Sequence, residues 1–116
     1  MMRRGDVHLV DLEPVRGSEA DKVRPAIIVS NDAANVTAGR LRRGVLTVIP
    51  VTSNVRRVLP FQVFLSASTT GLDRDSKAQA EQIRALDVER IGDRVGIVRD
   101  KEMLEIEEAI RLHLAL

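Results

Sequence analysis

The sequence predicts a mainly β (α+β) fold: a small, strongly twisted antiparallel sheet or half-open barrel carrying one C-terminal α-helix. Three observations point there. Five or six short β-favouring runs recur along the 116 residues, turn-rich loops rather than helical crossovers separate them, and only the last stretch shows sustained helical periodicity. A chain of this length is expected to form one domain, residues 1–116.

The elements follow in order. Asp6 to Leu12 reads as a first strand, ended by Glu13-Pro14. Residues 13–24 mix Pro, Gly and charges without periodicity, a long connection of the kind that often carries function. Pro25 to Ser30 is a second strand, opened by a proline that needs no ladder donor at a first position. Asn31 to Arg43, with its Asn, Asp, Thr and Gly, is expected to be a loop, and Gly44 to Thr52 a largely buried third strand in which Pro50 implies an edge or bulge. Phe61 to Leu65 is strand four. Ser66 to Asp75 turns through Thr69-Thr70-Gly71, and Lys77 to Ile83 is strand five. Asp87 to Arg90 suits a helical turn and Arg94 to Val98 a short last strand. Asp100 is a good N-cap for a helix from Lys101 to about Ala115, whose Met103, Ile106, Ile110 and Leu114 form one apolar face for the sheet or, in part, for a second copy.

Composition excludes several classes of function. The 44% hydrophobic and 30% charged content is that of a folded chain. Without cysteine there is no disulfide framework, no thiolate zinc site and no thiol catalysis. Two phenylalanines, with no tyrosine or tryptophan, leave little for base-stacking platforms or proline-rich-peptide grooves. No apolar run approaches the roughly 20 residues of a membrane span, and Met1 to Asp6 lacks the apolar core of a signal peptide, so a cytoplasmic location is expected.

Charge is divided along the chain. The net charge is only +1, yet no acidic residue occurs from Ala33 to Leu72, where Arg40, Arg42, Arg43, Arg56 and Arg57 all fall. From Asp100 onward five acids face two bases, a net of −3, which leaves +4 for residues 1–99. A phosphate backbone is a natural partner for the first segment, through counterion release; a solvated arginine-rich loop is the plainer reading.

If the strands run up and down, one rim gathers Arg24 at the entry of strand two, Thr52-Ser53 at the exit of strand three, Gln82 and Arg84 at the exit of strand five, and the 13–24 and Asn54–Pro60 loops. Cations, hydroxyls and an amide together suit a phosphodiester. A planar guanidinium grips two phosphate oxygens while a threonine hydroxyl donates to a third, chemistry that needs neither metal nor cofactor. Plainer roles compete at each position: Arg24 in a surface ion pair with Asp21 or Glu19, Thr52 as a turn cap, Gln82 as a buried amide. Arg56 and Arg57 suit phosphate positioning more than base reading. His8 and His113, assigned to strand one and the helix, are poorly placed to act as an acid–base pair.

The blocks Arg3-Arg4-Gly5-Asp6-Val7, Gly17-Ser18-Glu19, Arg24 to Asp32, Pro50-Val51-Thr52-Ser53, Gly71-Leu72-Asp73, Glu81-Gln82-Ile83-Arg84 and the terminal helix resemble, in order and over essentially the whole chain, the MazF/PemK family of toxin endoribonucleases. The resemblance implies an SH3-like barrel with a C-terminal helix, a homodimer, and metal-independent, sequence-specific cleavage of single-stranded RNA to 2′,3′-cyclic phosphate and 5′-hydroxyl ends. It implies Arg24 and Thr52 as the catalytic pair, with Ser53, Gln82 and the loop of Gly17, Ser18 and Glu19 holding or covering RNA. It also implies an antitoxin partner, whose acidic, flexible segment would suit the basic rim. An arginine keeps its proton at ordinary pH, so the acceptor of the 2′-hydroxyl proton lies elsewhere, and Glu19 is a candidate. Lys77-Ala78-Gln79-Ala80 departs from the apolar residues many members carry, so the RNA sequence recognised does not transfer. The alternative is a non-catalytic toxin of the same fold, resembling CcdB, which poisons DNA gyrase; the Arg24-Pro25 and Thr52-Ser53 blocks favour the nuclease. A peptide adaptor conflicts with the lack of aromatics.

Overall fold

A computed structural model describes residues 2–12, 17 and 23–116. It holds seven strands, β1 (Asp6–Asp11), β2 (Val23–Ile28), β3 (Val45–Thr52), β4 (Gln62–Leu65), β5 (Ser76–Gln79), β6 (Arg84–Asp87) and β7 (Ile91–Ile97). Three α-helices, α1 (Asp32–Leu41), α2 (Ala67–Thr70) and α3 (Asp100–Leu114), and two 3₁₀ turns, Ala80–Gln82 and Val88–Arg90, complete it. Every ladder is antiparallel, in the order β4-β5-β3-β2-β1-β7, with β6 added to β3. Among the described residues no ladder joins β4 to β7, so the twisted sheet stays open.

The apolar runs of β2 and β3 are explained by burial on both faces. Ile27, Ile49 and Val51 face one core with Val63, Leu65 and the Ile106 and Ala109 side chains of α3. Their neighbours Ala26, Ile28, Leu46 and Val48 face a second core with Leu12, Leu86 and Ala38 of α1. Since successive strand residues point to opposite faces, two covered faces require an unbroken apolar run rather than an alternating one.

β3 organises the site. On one edge its Val48–Pro50 segment pairs with β2; on the other, Val45–Val48 pairs with β6 and Val51–Thr52 with β5. Both the N–H and the carbonyl of Thr47 turn toward the β2 edge, to Ser30 Oγ at 3.1 Å and from Val29 N at 2.9 Å. Two-residue alternation therefore turns the nitrogen of Pro50 to the other edge, into the gap between the β6 and β5 ladders, where no donor is needed. Pro50 marks a change of partner inside a central strand, not an edge.

Four further expectations need correction. Residues 32–41 are helical, not loop. Asn31 caps α1, its Oδ1 accepting from Ala34 N at 2.9 Å, and Asn35, 1% exposed, donates to the Ser30 carbonyl at 2.8 Å. Asn, Thr and Gly lower the intrinsic helix propensity of this stretch, and tertiary anchoring outweighs it. The fifth strand ends at Gln79: a 3₁₀ turn, Ala80–Gln82, intervenes before β6. The ladders run Val51↔Ala78 and Val48↔Arg84, so Gln79 to Ile83 span what Ile49 and Pro50 span on β3, and the three surplus residues make the turn. In α3 the cap position is Arg99, with Asp100 in the first turn, where a carboxylate still complements the helix dipole. Of the expected apolar stripe, Ile106 is buried and Met103 and Ile110 are partly buried, but Leu114 is exposed and packs into neither core.

Candidate active site

The pairing of β2 with β3 brings together the two residues on which the sequence reading centred. The β2–β3 ladder runs Ile28↔Val48, Ile27↔Ile49 and Ala26↔Pro50 and ends there; continued by two residues, the same register aligns Arg24 with Thr52, 28 positions away in sequence. Just past the end of the ladder a cavity of about 550 Å³ opens, lined by Arg24, Thr52 and Ser53. Its apolar wall is made by Leu9, Pro25, Val51, Leu72 and Val95, and its polar edge is completed by Asp73, Arg74 and Ser76.

Thr52 fills the plainer role and keeps its capacity for the other. Its Oγ1 accepts from Asn54 N at 3.2 Å, and Asn54 Oδ1 in turn accepts from Arg56 N at 3.3 Å, which shapes the turn out of β3. A hydroxyl that accepts this way still has its own proton to donate. Ser53 is exposed at the cavity and Arg24 is half-buried beside it.

The other predicted residues are distributed differently. Arg56 and Arg57 are exposed on the loop after β3 and do not line the cavity. Gln82 closes the 3₁₀ turn. Arg84 lies opposite Val48, four residues or about 13 Å along β3 from Thr52, and its Nη1 is 3.4 Å from the Leu12 carbonyl oxygen. Gly17 is exposed with φ +54°; Ser18 and Glu19, like Asp21, lie outside the described residues. His8 is buried with Nδ1 2.8 Å from the Gly92 carbonyl oxygen, and the His113 ring centroid is 6.0 Å from that of Phe61; neither histidine lines the cavity. Among the described residues no three His, Asp or Glu side chains converge as a metal site.

Sequence reasoning assigned no role to Arg74 or Asp73, although Gly71-Leu72-Asp73 stood out as a block. Glu81, next to Gln82, is engaged in the fold: its Oε2 accepts from Gln62 Nε2 at 2.6 Å, tying the 3₁₀ turn to β4.

Comparison with known proteins shows the family. A family model described as "PemK-like, MazF-like toxin of type II toxin-antitoxin system" matches residues 3–114. Endoribonuclease MazF9 of Mycobacterium tuberculosis is 60% identical over 116 residues, covering 100% of this chain and 98% of that one. The solved structure of an endoribonuclease in complex with its cognate antitoxin, from a mycobacterial species, superposes with a TM-score of 0.77 at 26% identity, over 100% of this chain and 97% of that one. MazF from Deinococcus radiodurans shares the fold, with a TM-score of 0.81 at 24% identity over 99% and 97% of the two chains. The cavity at the end of the β2–β3 ladder thus sits in a chain that belongs to the PemK-like, MazF-like toxins of type II toxin–antitoxin systems.

Proposed function

We propose that this toxin is an endoribonuclease that cuts single-stranded RNA by internal transesterification. The 2′-oxygen attacks the adjacent phosphorus and gives up its proton, the bond from phosphorus to the 5′-oxygen breaks, and that oxygen takes up a proton. The products are a 2′,3′-cyclic phosphate and a 5′-hydroxyl. The carrying observation is the meeting of Arg24 and Thr52 at one cavity from opposite strands. The guanidinium of Arg24 holds two phosphoryl oxygens as charge builds on them, and the Thr52 hydroxyl donates to the same group. Both act without a metal, because the guanidinium supplies the positive charge. Ser53 and Gln82, with the loop of Gly17, Ser18 and Glu19, hold or cover the RNA; Arg56, Arg57 and Arg84 contact its backbone. The 60% identity to an endoribonuclease supports the reading, and the antitoxin complex of a similar toxin supports an antitoxin partner for this one. It works as a homodimer in the cytoplasm; no helix among the described residues is long and apolar enough to cross a membrane.

The test is incubation of the purified protein with mixed single-stranded RNA in EDTA, with Arg24→Ala and Thr52→Ala proteins alongside. Cleavage should persist in EDTA and fall by about 10²–10³ in kcat for each variant, the usual loss of one transition-state donor. Variants that cut as fast as the parent would refute the assignment. Intact RNA together with trapped DNA gyrase would establish the CcdB-like alternative.

A further inference from the structure

Resting on the RNA-cleaving reading above, we propose that Asp73 reads one base of the RNA beside the scissile phosphate and that Arg74 holds the phosphate flanking that base. Both residues line the cavity that holds Arg24 and Thr52. Both are exposed, and neither side chain is engaged in a hydrogen bond or ion pair with another described residue. The segment that carries them is nevertheless firmly held. Leu72 N donates to Thr70 Oγ1 at 3.3 Å, Asp75 Oδ1 accepts from Ala67 N at 2.9 Å, and Ser76 Oγ donates to the Arg74 carbonyl at 3.0 Å. Two charged side chains left uncommitted on a fixed backbone at a cavity edge are pre-organised for a ligand.

Their chemistry names what each takes. Arg74 is a second guanidinium at the cavity, suited to a phosphate as Arg24 is. Asp73 is the cavity's carboxylate and repels phosphate, so its place at a site for a polyanion is understood only if it meets a base. An ionised carboxylate accepts hydrogen bonds and donates none. Adenine, cytosine and guanine each present an exocyclic amino group to it. Uracil offers a single N–H flanked by two carbonyl oxygens, which a carboxylate repels. Leu9, Pro25, Val51, Leu72 and Val95 give the ring an apolar seat in place of aromatic stacking. Asp73 therefore selects an amino-bearing base over uracil at one position.

The experiment is digestion of a randomised single-stranded RNA pool by the parent, Asp73→Asn and Arg74→Ala proteins, with sequencing of the new 5′ ends and thermal melts to verify folding. The parent should discriminate against uracil at one position near the cut. Asp73→Asn, which presents a donor as well as an acceptor, should lose about tenfold of that discrimination there and leave the other positions unchanged. Arg74→Ala should raise KM at unchanged kcat and motif, and lower the salt slope of binding by about one. An unchanged motif in Asp73→Asn, a folded Asp73→Asn protein that cuts nothing, or a parent that accepts uracil everywhere overturns the inference. A parent that cuts no RNA at all overturns the function proposed above instead.

Discussion

Gly96→Ala tests how closely the cavity wall is packed. Gly96 lies in β7 opposite Val7 of β1, and a Cβ built on it would stand 2.8 Å from the Thr70 carbonyl oxygen and 3.1 Å from Leu72 Cδ2. The oxygen belongs to the last residue of α2, a buried threonine whose hydroxyl donates to the Ser66 carbonyl at 2.9 Å, so it does not swing aside as a side-chain tip would. Overpacking of this kind costs about 1–3 kcal/mol. The lower entropy of an unfolded chain with alanine in place of glycine returns about 0.4–1 kcal/mol. The net loss is then about 1–2 kcal/mol, which for 116 residues lowers Tm by about 4–8 °C. Leu72 lines the cavity, so KM for RNA should also rise several-fold. Gly39→Ala is the internal control: its Cβ meets only the flexible end of Met2, at 3.1 Å, inside α1, and alanine there should stabilise by up to about 1 kcal/mol. Circular-dichroism melts of both variants decide the matter. A Gly96→Ala protein that melts at or above the parent's temperature would refute the packing account.

Three further outcomes are expected. Ile106→Ala, at a position 1% exposed where α3 meets the sheet, should cost about 2–5 kcal/mol, read from denaturant midpoints at constant m-value. Asp32 accepts from Arg4 N at 2.7 Å, and this bond first, then Asn35 and the charges of Arg3 and Arg4, outweigh desolvation and hold its carboxyl below the ordinary aspartate value. Because the folded value is the lower one, its contribution is complete above about pH 4 and is lost as the pH falls through the folded value; melts of Asp32→Asn between pH 7 and 3 should show a shallower decline than the parent's. Arg56→Ala and Arg57→Ala should each lower the salt slope of RNA binding by about one and leave the cleavage motif unaltered, measured by titration at several ionic strengths.

The elements legible in the sequence were those whose residues advertise burial. The apolar runs at 25–30 and 44–52 and the spacing of Met103, Ile106 and Ile110 mark β2, β3 and α3 because burial demands those patterns irrespective of partners. α1 was not legible. Its Asn31 cap and the Asn35 bond to the Ser30 carbonyl are local, but what outweighs the weak propensity comes from far along the chain: Arg4 N donates to Asp32 Oδ1 at 2.7 Å, and Ala38 is buried in the second core with Leu46, Val48 and Leu86. The break at Ala80 was hidden for a similar reason: the alternation of 77–83 suits a strand, and the surplus of three residues is defined only by the register that β5 and β6 keep on β3.

At the site, residue chemistry grouped Arg24, Thr52 and Ser53 with Gln82 and Arg84 on one rim, since guanidinium, hydroxyl and amide suit a phosphodiester, and the family resemblance singled out Arg24 and Thr52 among them. Which side chains share a cavity with them was settled by pairing. The β2–β3 register sets Arg24 opposite Thr52, whereas the inserted turn carries Arg84 toward Val48 and the α2–β5 connection carries Asp73 and Arg74 to the cavity edge. Side-chain chemistry and apolar pattern are local properties and can be read along a chain. Proximity across an antiparallel sheet depends on the sum of two residue numbers in each ladder, and a turn of three residues changes that sum without altering a single local preference.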